Sequence, residues 1–257
     1  DAIAMAAIEH GMTPDAMATE AAAQSKAGFL AIKIKVGETV EADIDRVAAV
    51  RAAIGESMAL RVDANDHYCP ADAIRFTRAI ERQRPEHIEQ PVARHDMLGL
   101  AEVRRSVGVP IMTDDMVATP YDAMNVIRLG AADRVKVKVT KHGFDGAREI
   151  CAMLSSAGLT PVLGHVFEMG LAAIAEAQFA ACTSGLAMPC EIGSMAPMGT
   201  HADIVTNDLR SVPGYMTVPT GLGLGADIDF AGRIGERLEI YASYAFIPEA
   251  EVDESSG

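Results

Sequence analysis

Residues 59–115 hold three short apolar runs that each lead into an acid: ALRVD at 59–63, HIEQ at 87–90 with Glu89, and IMTDD at 111–115 with Asp114 and Asp115. Asp63, Glu89 and Asp114 stand 26 (89 − 63) and 25 (114 − 89) residues apart. One strand, a short loop, one helix and a second loop fill such an interval, so the spacing predicts three successive parallel strands with an acid at each carboxyl end. Outward from this segment, Ala2–Ile8, Leu30–Val36, Arg134–Val139, Pro161–Gly164 and Met188–Ile192 read as five further strands. Alanine-rich stretches of helical period lie between them. Thr13-Pro14, Pro70 and Thr119-Pro120 are helix-start signals, and Gly28, Gly55, Gly108, Gly130 and Gly158 stand where helices should stop.

Regular alternation of strand and helix predicts an α/β protein with parallel strands and right-handed crossovers. Eight units in 257 residues favour a closed (β/α) barrel over an open doubly wound sheet. In either architecture chemistry collects at the carboxyl ends of strands. Residues 1–209 read as the barrel domain. The alternation is lost after Leu209, so 210–257 read as a C-terminal segment packing on it, with EAEVDESSG at 249–257 expected to be mobile.

Bulk properties narrow the function classes. The net charge is −14, and the 22 basic residues are scattered, which argues against nucleic acid as a partner. Hydrophobic residues make up 49%, enough for a core, but no apolar run of 18 residues predicts a membrane span. The first residues, DAIAMAAIEHGMTPD, lack the basic start of a signal peptide, and a cytoplasmic location is expected. Cys69, Cys151, Cys182 and Cys190 are widely spaced and read as reduced thiols, suggesting neither a zinc site nor a disulfide framework.

Three carboxylates on one rim suit a hard divalent cation that keeps positions open for water or substrate. Lys33 and Lys35 alternate with Ile32, Ile34 and Val36, so period-2 geometry puts both lysines on one face; Lys136 and Lys138 do the same. A lysine acts as a base only when neutral, and two unit charges ~6 Å apart at an effective dielectric of ~20 repel by about 3 kcal/mol. On that basis Lys33 and a metal would push Lys35 toward its neutral form.

The ordered set Lys33-Ile-Lys35, Asp63-Ala-Asn65, Glu89-Gln-Pro91, Asp114-Asp115 and Lys138 with Thr140-Lys141-His142-Gly143 resembles the barrel of the enolase superfamily. Within the mandelate racemase/muconate lactonizing enzyme family it is most similar to the muconate cycloisomerase-like subgroup. The resemblance covers essentially the whole chain. It implies a modified (β/α)7β barrel in which Asp63, Glu89 and Asp114 bind Mg2+, or Mn2+ in its place, while Lys35 and Lys138 face each other across the substrate as acid and base. Lysine or histidine bases working with Mg2+ on an enediolate are a known pattern of this superfamily. Lys33, Asn65, Asp115, His165, Glu168 and Glu191 are then expected to contact substrate or support the site.

The chain departs from the family in several places. Asp114-Asp115 replaces a common Asp-Glu, so Asp115 is a second candidate ligand, and Gly143-Phe144 replaces Gly-Gly. Lys136 stands where a small polar residue is frequent. His165 lies where mandelate racemase-like relatives carry a catalytic histidine, but Lys138 occupies the region of its partner aspartate. Dipeptide epimerases usually carry Asp-x-Asp at the eighth strand, where this chain has Glu191 alone. The Gly221–Gly225 repeat resembles the family's C-terminal turn rather than a nucleotide loop. The family's N-terminal capping domain is not evident here, and 210–257 is alternatively expected to pack on it.

The resemblance thus implies removal of the alpha-proton of a small carboxylate, with racemisation or epimerisation of an amino-acid derivative ranked first. Muconate-type cycloisomerisation and hydroxy-acid or hydroxyproline-type dehydration follow. A Schiff-base lyase using Lys138 and an inactive metal-binding barrel are the further alternatives. A homo-oligomer is expected.

Overall fold

The computed structural model describes residues 2–4, 6–9, 12–166, 170–192, 205, 210–212, 214–221, 223–225, 227–234 and 238–245. The chain enters through β1 (Ala2–Ala4) and β2 (Ala6–Glu9). It then alternates α1 (Pro14–Ala27), β3 (Ala31–Lys35), α2 (Val40–Ile54), β4 (Ala59–Asp63), α3 (Pro70–Ala79), β5 (His87–Glu89), α4 (Met97–Ser106), β6 (Ile111–Thr113), α5 (Pro120–Leu129), β7 (Arg134–Val137), α6 (Val139–Ser156), β8 (Thr160–Leu163) and α7 (Gly170–Cys182). β2 to β8 form one seven-stranded parallel sheet in chain order. Ile32, Ile34, Leu60, Val62, Ile88, Ile111, Val135, Val137 and Leu163 are buried in it, and Val47, Val50, Phe76, Ile150 and Leu154 pack from the helices. These apolar positions alternate with charged ones, as in AIKIK and RVKV, so one face of the sheet packs under the helices and the other carries the charges.

The helix signals act as local chemistry predicts. Thr13 caps α1 by accepting from the Ala16 N–H, and Thr119 and Asp122 make a reciprocal capping box at α5. Gly28 and Gly130 close α1 and α5 in the left-handed region. Gly108 does not end its helix: α4 is closed by Val107 in extended conformation, and the Gly108 N–H donates to Glu81 Oε1 at 3.0 Å.

Two strand expectations are corrected. The run Ala2–Ile8 forms two strands rather than one, with β1 outside the main sheet and paired antiparallel with β10 (Tyr215–Thr217), which also pairs with β9 (Arg210–Val212). Met188–Ile192 forms no strand, since Pro189 has no N–H to give a ladder. The segment instead hangs on β8 through Ala187 N–H to Pro161 O and Glu191 N–H to Leu163 O, both 2.9 Å. β11 (Asp227–Ile234) and β12 (Leu238–Ala245) make an antiparallel hairpin, so a strand rather than a nucleotide-binding helix follows Gly221–Gly225. EAEVDESSG lies outside the described residues.

The sheet curls on itself. Lys33, on the second strand of the seven, donates to Glu191 Oε2 at 2.7 Å although Glu191 hangs beyond the last. Among the described residues no helix is long and apolar enough to cross a membrane.

Candidate active site

Parallel register sets the acids in a row. Lys35 is the neighbour of Asp63, and Asp63 of Glu89, in adjacent strands, while Asp114 follows the end of β6 directly. Past the strand ends the loops stay tied: Val36 N–H donates to Asp63 O, Ala64 N–H to Glu89 O and Gln90 N–H to Met112 O. Asn65, Asp66 and Gln90 adopt positive φ of 42, 70 and 36°, sparsely populated conformations that concentrate at functional loops. Gln90 joins two of these loops, accepting the Asp114 N–H at Oε1 (2.9 Å) and donating from Nε2 to Val92 O.

The side chains form two layers. At the rim, Lys35 Nζ donates to Asp63 Oδ2 at 2.5 Å, and Lys138 Nζ lies 2.7 Å from Asp114. Asp63 Oδ1 accepts the Asn65 N–H, so Asn65 contributes its backbone here. Lys141 donates to Asp114 O at 3.1 Å. Asp115 is more exposed and lies 3.4 Å from Arg94. The inner layer consists of Lys33, Arg61, His87, Glu89, Lys136 and Glu191, all buried. Lys33 donates to Glu89 Oε2 (2.9 Å) and Glu191 Oε2 (2.7 Å); Lys136 donates to the same two oxygens. Arg61 bridges Glu191 Oε1 at 3.1 Å and Glu86 Oε2 at 2.8 Å. Lys33, Arg61, His87 and Lys136 each sit two positions before a residue of the acid–lysine row, namely Lys35, Asp63, Glu89 and Lys138, with Glu89 joining the two layers.

The charges follow from these contacts. Burial pulls Lys33 down, but Glu191, Glu89 and Asp63 outweigh it and its ammonium is held well above its ordinary range. Burial pushes Glu191 up, yet Lys136, Lys33 and Arg61 hold it well below a normal carboxylate. His87 is driven to about 3 by burial, with Arg61 adding to the effect, so it is neutral. Burial lowers Lys138, but Asp114 dominates and raises it, leaving an ammonium in this state. Lys141 is lowered, mainly by burial. Lys33 is so fully paired that it is not the bare positive neighbour of Lys35 that the sequence suggested.

Where the structure places the remaining expected residues is mixed. Glu191 is an inner counter-ion enclosed by three cations, and His165 donates from Nδ1 to its carbonyl oxygen at 2.8 Å. Glu168 lies outside the described residues. Sequence reading missed Arg61, His87, Gln90 and Lys141. Period-2 counting back from each acid finds the first two, whereas nothing local marks Gln90 as a loop tie.

Asp63, Glu89 and Asp114 fit a hard cation. They offer only oxygen, and Glu89 Oε1 is buried without a hydrogen-bond partner among the described residues, because the lysines take Oε2. His87, Glu89 and Glu191 also lie close enough to share an ion. That group is already neutralised by Lys33, Lys136 and Arg61, and a further cation would meet three positive charges.

Fold and site together define a class: a parallel α/β scaffold that gathers carboxylates and lysines at its strand ends. The family model "Enolase C-terminal domain-like" matches residues 16–232. The L-Ala-D/L-Glu epimerase of Bacillus subtilis is 32% identical over 217 residues, 83% of this chain and 58% of that protein. The hydrophobic dipeptide epimerase of Enterococcus faecalis is 37% identical over 156 residues, 60% of this chain and 44% of that one. The solved dipeptide epimerase from Enterococcus faecalis V583, complexed with Mg and the dipeptide L-Leu-L-Tyr, superposes with a TM-score of 0.81 at 31% identity, covering 88% of this chain and 64% of the other. The chain belongs to the enolase superfamily, in its mandelate racemase/muconate lactonizing branch. It spans about three fifths or less of the two curated relatives' lengths.

Proposed function

We propose that this chain removes the alpha-proton of a small carboxylate in a Mg2+-dependent reaction and returns it on the opposite face, racemising or epimerising an amino-acid derivative. The observation that carries the reading is the flanking of the acid row by two rim lysines: Lys35 on β3 and Lys138 just after β7, with Asp63 and Glu89 ending the strands between and Asp114 directly after β6. Asp63, Glu89 and Asp114 would hold the ion, which when bound draws charge toward the substrate carboxylate and acidifies the neighbouring C–H. Lys35 and Lys138 exchange the proton at Nζ, one taking it and the other supplying it. For that, Lys138 must leave Asp114. Lys33 and Lys136 keep Glu89 Oε2 occupied and so leave Oε1 for the ion.

The contact between Lys33 and Glu191 supports closure of the sheet as a (β/α)7β barrel, of which residues 1–209 would be the catalytic unit. Gln178 Nε2 donates to Pro219 O (2.6 Å) and Leu224 O (3.2 Å), which supports packing of the C-terminal segment on that unit. A cytoplasmic setting accords with four free cysteines. The Mg-dipeptide complex of a relative makes dipeptides the first substrates to test. In D2O with Mg2+, the protein should exchange the alpha-hydrogen of a member of that class. Absence of exchange across it, with Mg2+ bound, would refute the reading.

A further inference from the structure

We propose that Asp43 and Tyr68 are positioning residues for Lys35, joined in a brace that fixes the turn following it. The Val36 N–H is committed to Asp63 O, and the next two amides, Gly37 and Glu38, both donate to Asp43 Oδ2, at 2.9 and 3.0 Å. Asp43 is fully buried in the first turn of α2, and Arg46 Nη1 donates to its Oδ1 at 2.6 Å. Arg46 also reaches Glu38 Oε2 and the Met12 carbonyl. The Tyr68 hydroxyl donates to Asp43 Oδ2 at 2.6 Å.

Tyr68 belongs to the loop after β4, yet its N–H donates to Pro91 O at 3.0 Å and it bridges Val92 in the loop after β5. One phenol–carboxylate contact therefore ties together the ends of the strands that carry Lys35, Asp63 and Glu89. The loops are also in close packing: a Cβ on Gly37, at φ +124°, would meet His67 Cβ at 2.8 Å. A buried network with every member satisfied is rigid, and reactive groups need such support. Lys35 depends on it most. Its side chain is 20% exposed against 5% for Lys138, so the backbone turn fixes it where packing does not.

The meaning of Lys35 rests on the proposed function, but the brace is testable without turnover. Tyr68→Phe removes the link while Asp43 keeps its two amides and Arg46, and Phe76→Leu loosens the ring's packing (centroids 5.2 Å apart) while leaving the hydroxyl. Brief acylation of the full chain with acetic anhydride, read by mass spectrometry, gives the labelling of Lys35 relative to Lys138 and Lys141. Tyr68→Phe should raise that ratio several-fold, whereas Phe76→Leu should lower the thermal midpoint and leave the ratio unchanged. An unchanged ratio in Tyr68→Phe, or an equal rise in both variants, would overturn the proposal. Where alpha-hydrogen exchange is measurable, Tyr68→Phe should slow it about tenfold for one enantiomer only, and equal slowing for both would also overturn it.

Discussion

Gly164 shows how much of the site rests on a single missing side chain. Its backbone needs no unusual φ, but a Cβ there would meet Lys136 Cδ at 2.7 Å and Cε at 2.9 Å, so glycine leaves the channel through which Lys136 reaches Glu89 and Glu191. Gly164→Ala should cost about 1–3 kcal/mol, as overpacking does, and much less in a Lys136→Met background. Urea midpoints of the two single variants and the double check this; equal costs in both backgrounds would argue against a shared channel. At the rim, Lys138→Met should reduce racemisation by about 10²–10⁴-fold while exchange of one enantiomer, served by Lys35, persists. Proton NMR in D2O separates the two outcomes. The alternating lysines and the evenly spaced acids were legible because strand geometry fixes which residues share a face. Their partners were not: alternation says that Lys136 points inward, but only the assembled fold says that Glu191 awaits it there.

The elements themselves were largely written in their ends. Thr119-Pro120 predicted the start of α5, and the helix begins there with Thr119 and Asp122 capping one another. Slight burial raises the Asp122 carboxyl, but hydrogen bonds from the Thr119 hydroxyl and the Ala118 and Thr119 amides outweigh it and lower its pKa. A folded pKa below the unfolded value of about 3.9 means the cap contributes fully above that pH and fades as pH falls through the folded value. Thr119→Ala should therefore cost about 1 kcal/mol at neutral pH, with a smaller penalty in acid once the Asp122 carboxylate is protonated. Denaturant titrations at neutral and acid pH decide it, since a pH-independent penalty would mean that the carboxylate plays no part. Signals failed where local and tertiary demands diverge. Ala2–Ile8 is apolar throughout, so nothing local reveals that β1 turns away to pair with β10. Met188–Ile192 likewise reads as a strand until the missing N–H of Pro189 is set against the ladder it would have to join.

Across the molecule, the buried charges act as one lattice. Lys33 on β3, Arg61 on β4, Glu89 on β5, Lys136 on β7 and Glu191 beyond β8 are linked edge to edge through two shared carboxylates, those of Glu89 and Glu191. A core of this kind draws distant strands together only if every charge is matched, because an unpaired buried ion costs more than the pair gains. Lys136→Met leaves Glu191 with Lys33 and Arg61, and Glu89 with Lys33 alone among the inner ammoniums. It should destabilise the fold by about 3–5 kcal/mol. Glu191→Gln strands the lysines and should cost a similar amount. Combined, the two substitutions remove one positive and one negative charge, so the double variant should be more stable than the sum of the single losses predicts, with a coupling of about 1–3 kcal/mol. Urea unfolding of the wild type and three variants measures that coupling. If the losses simply add, Lys136 and Glu191 act independently, and the curl of the sheet must be held by its apolar core rather than by this lattice.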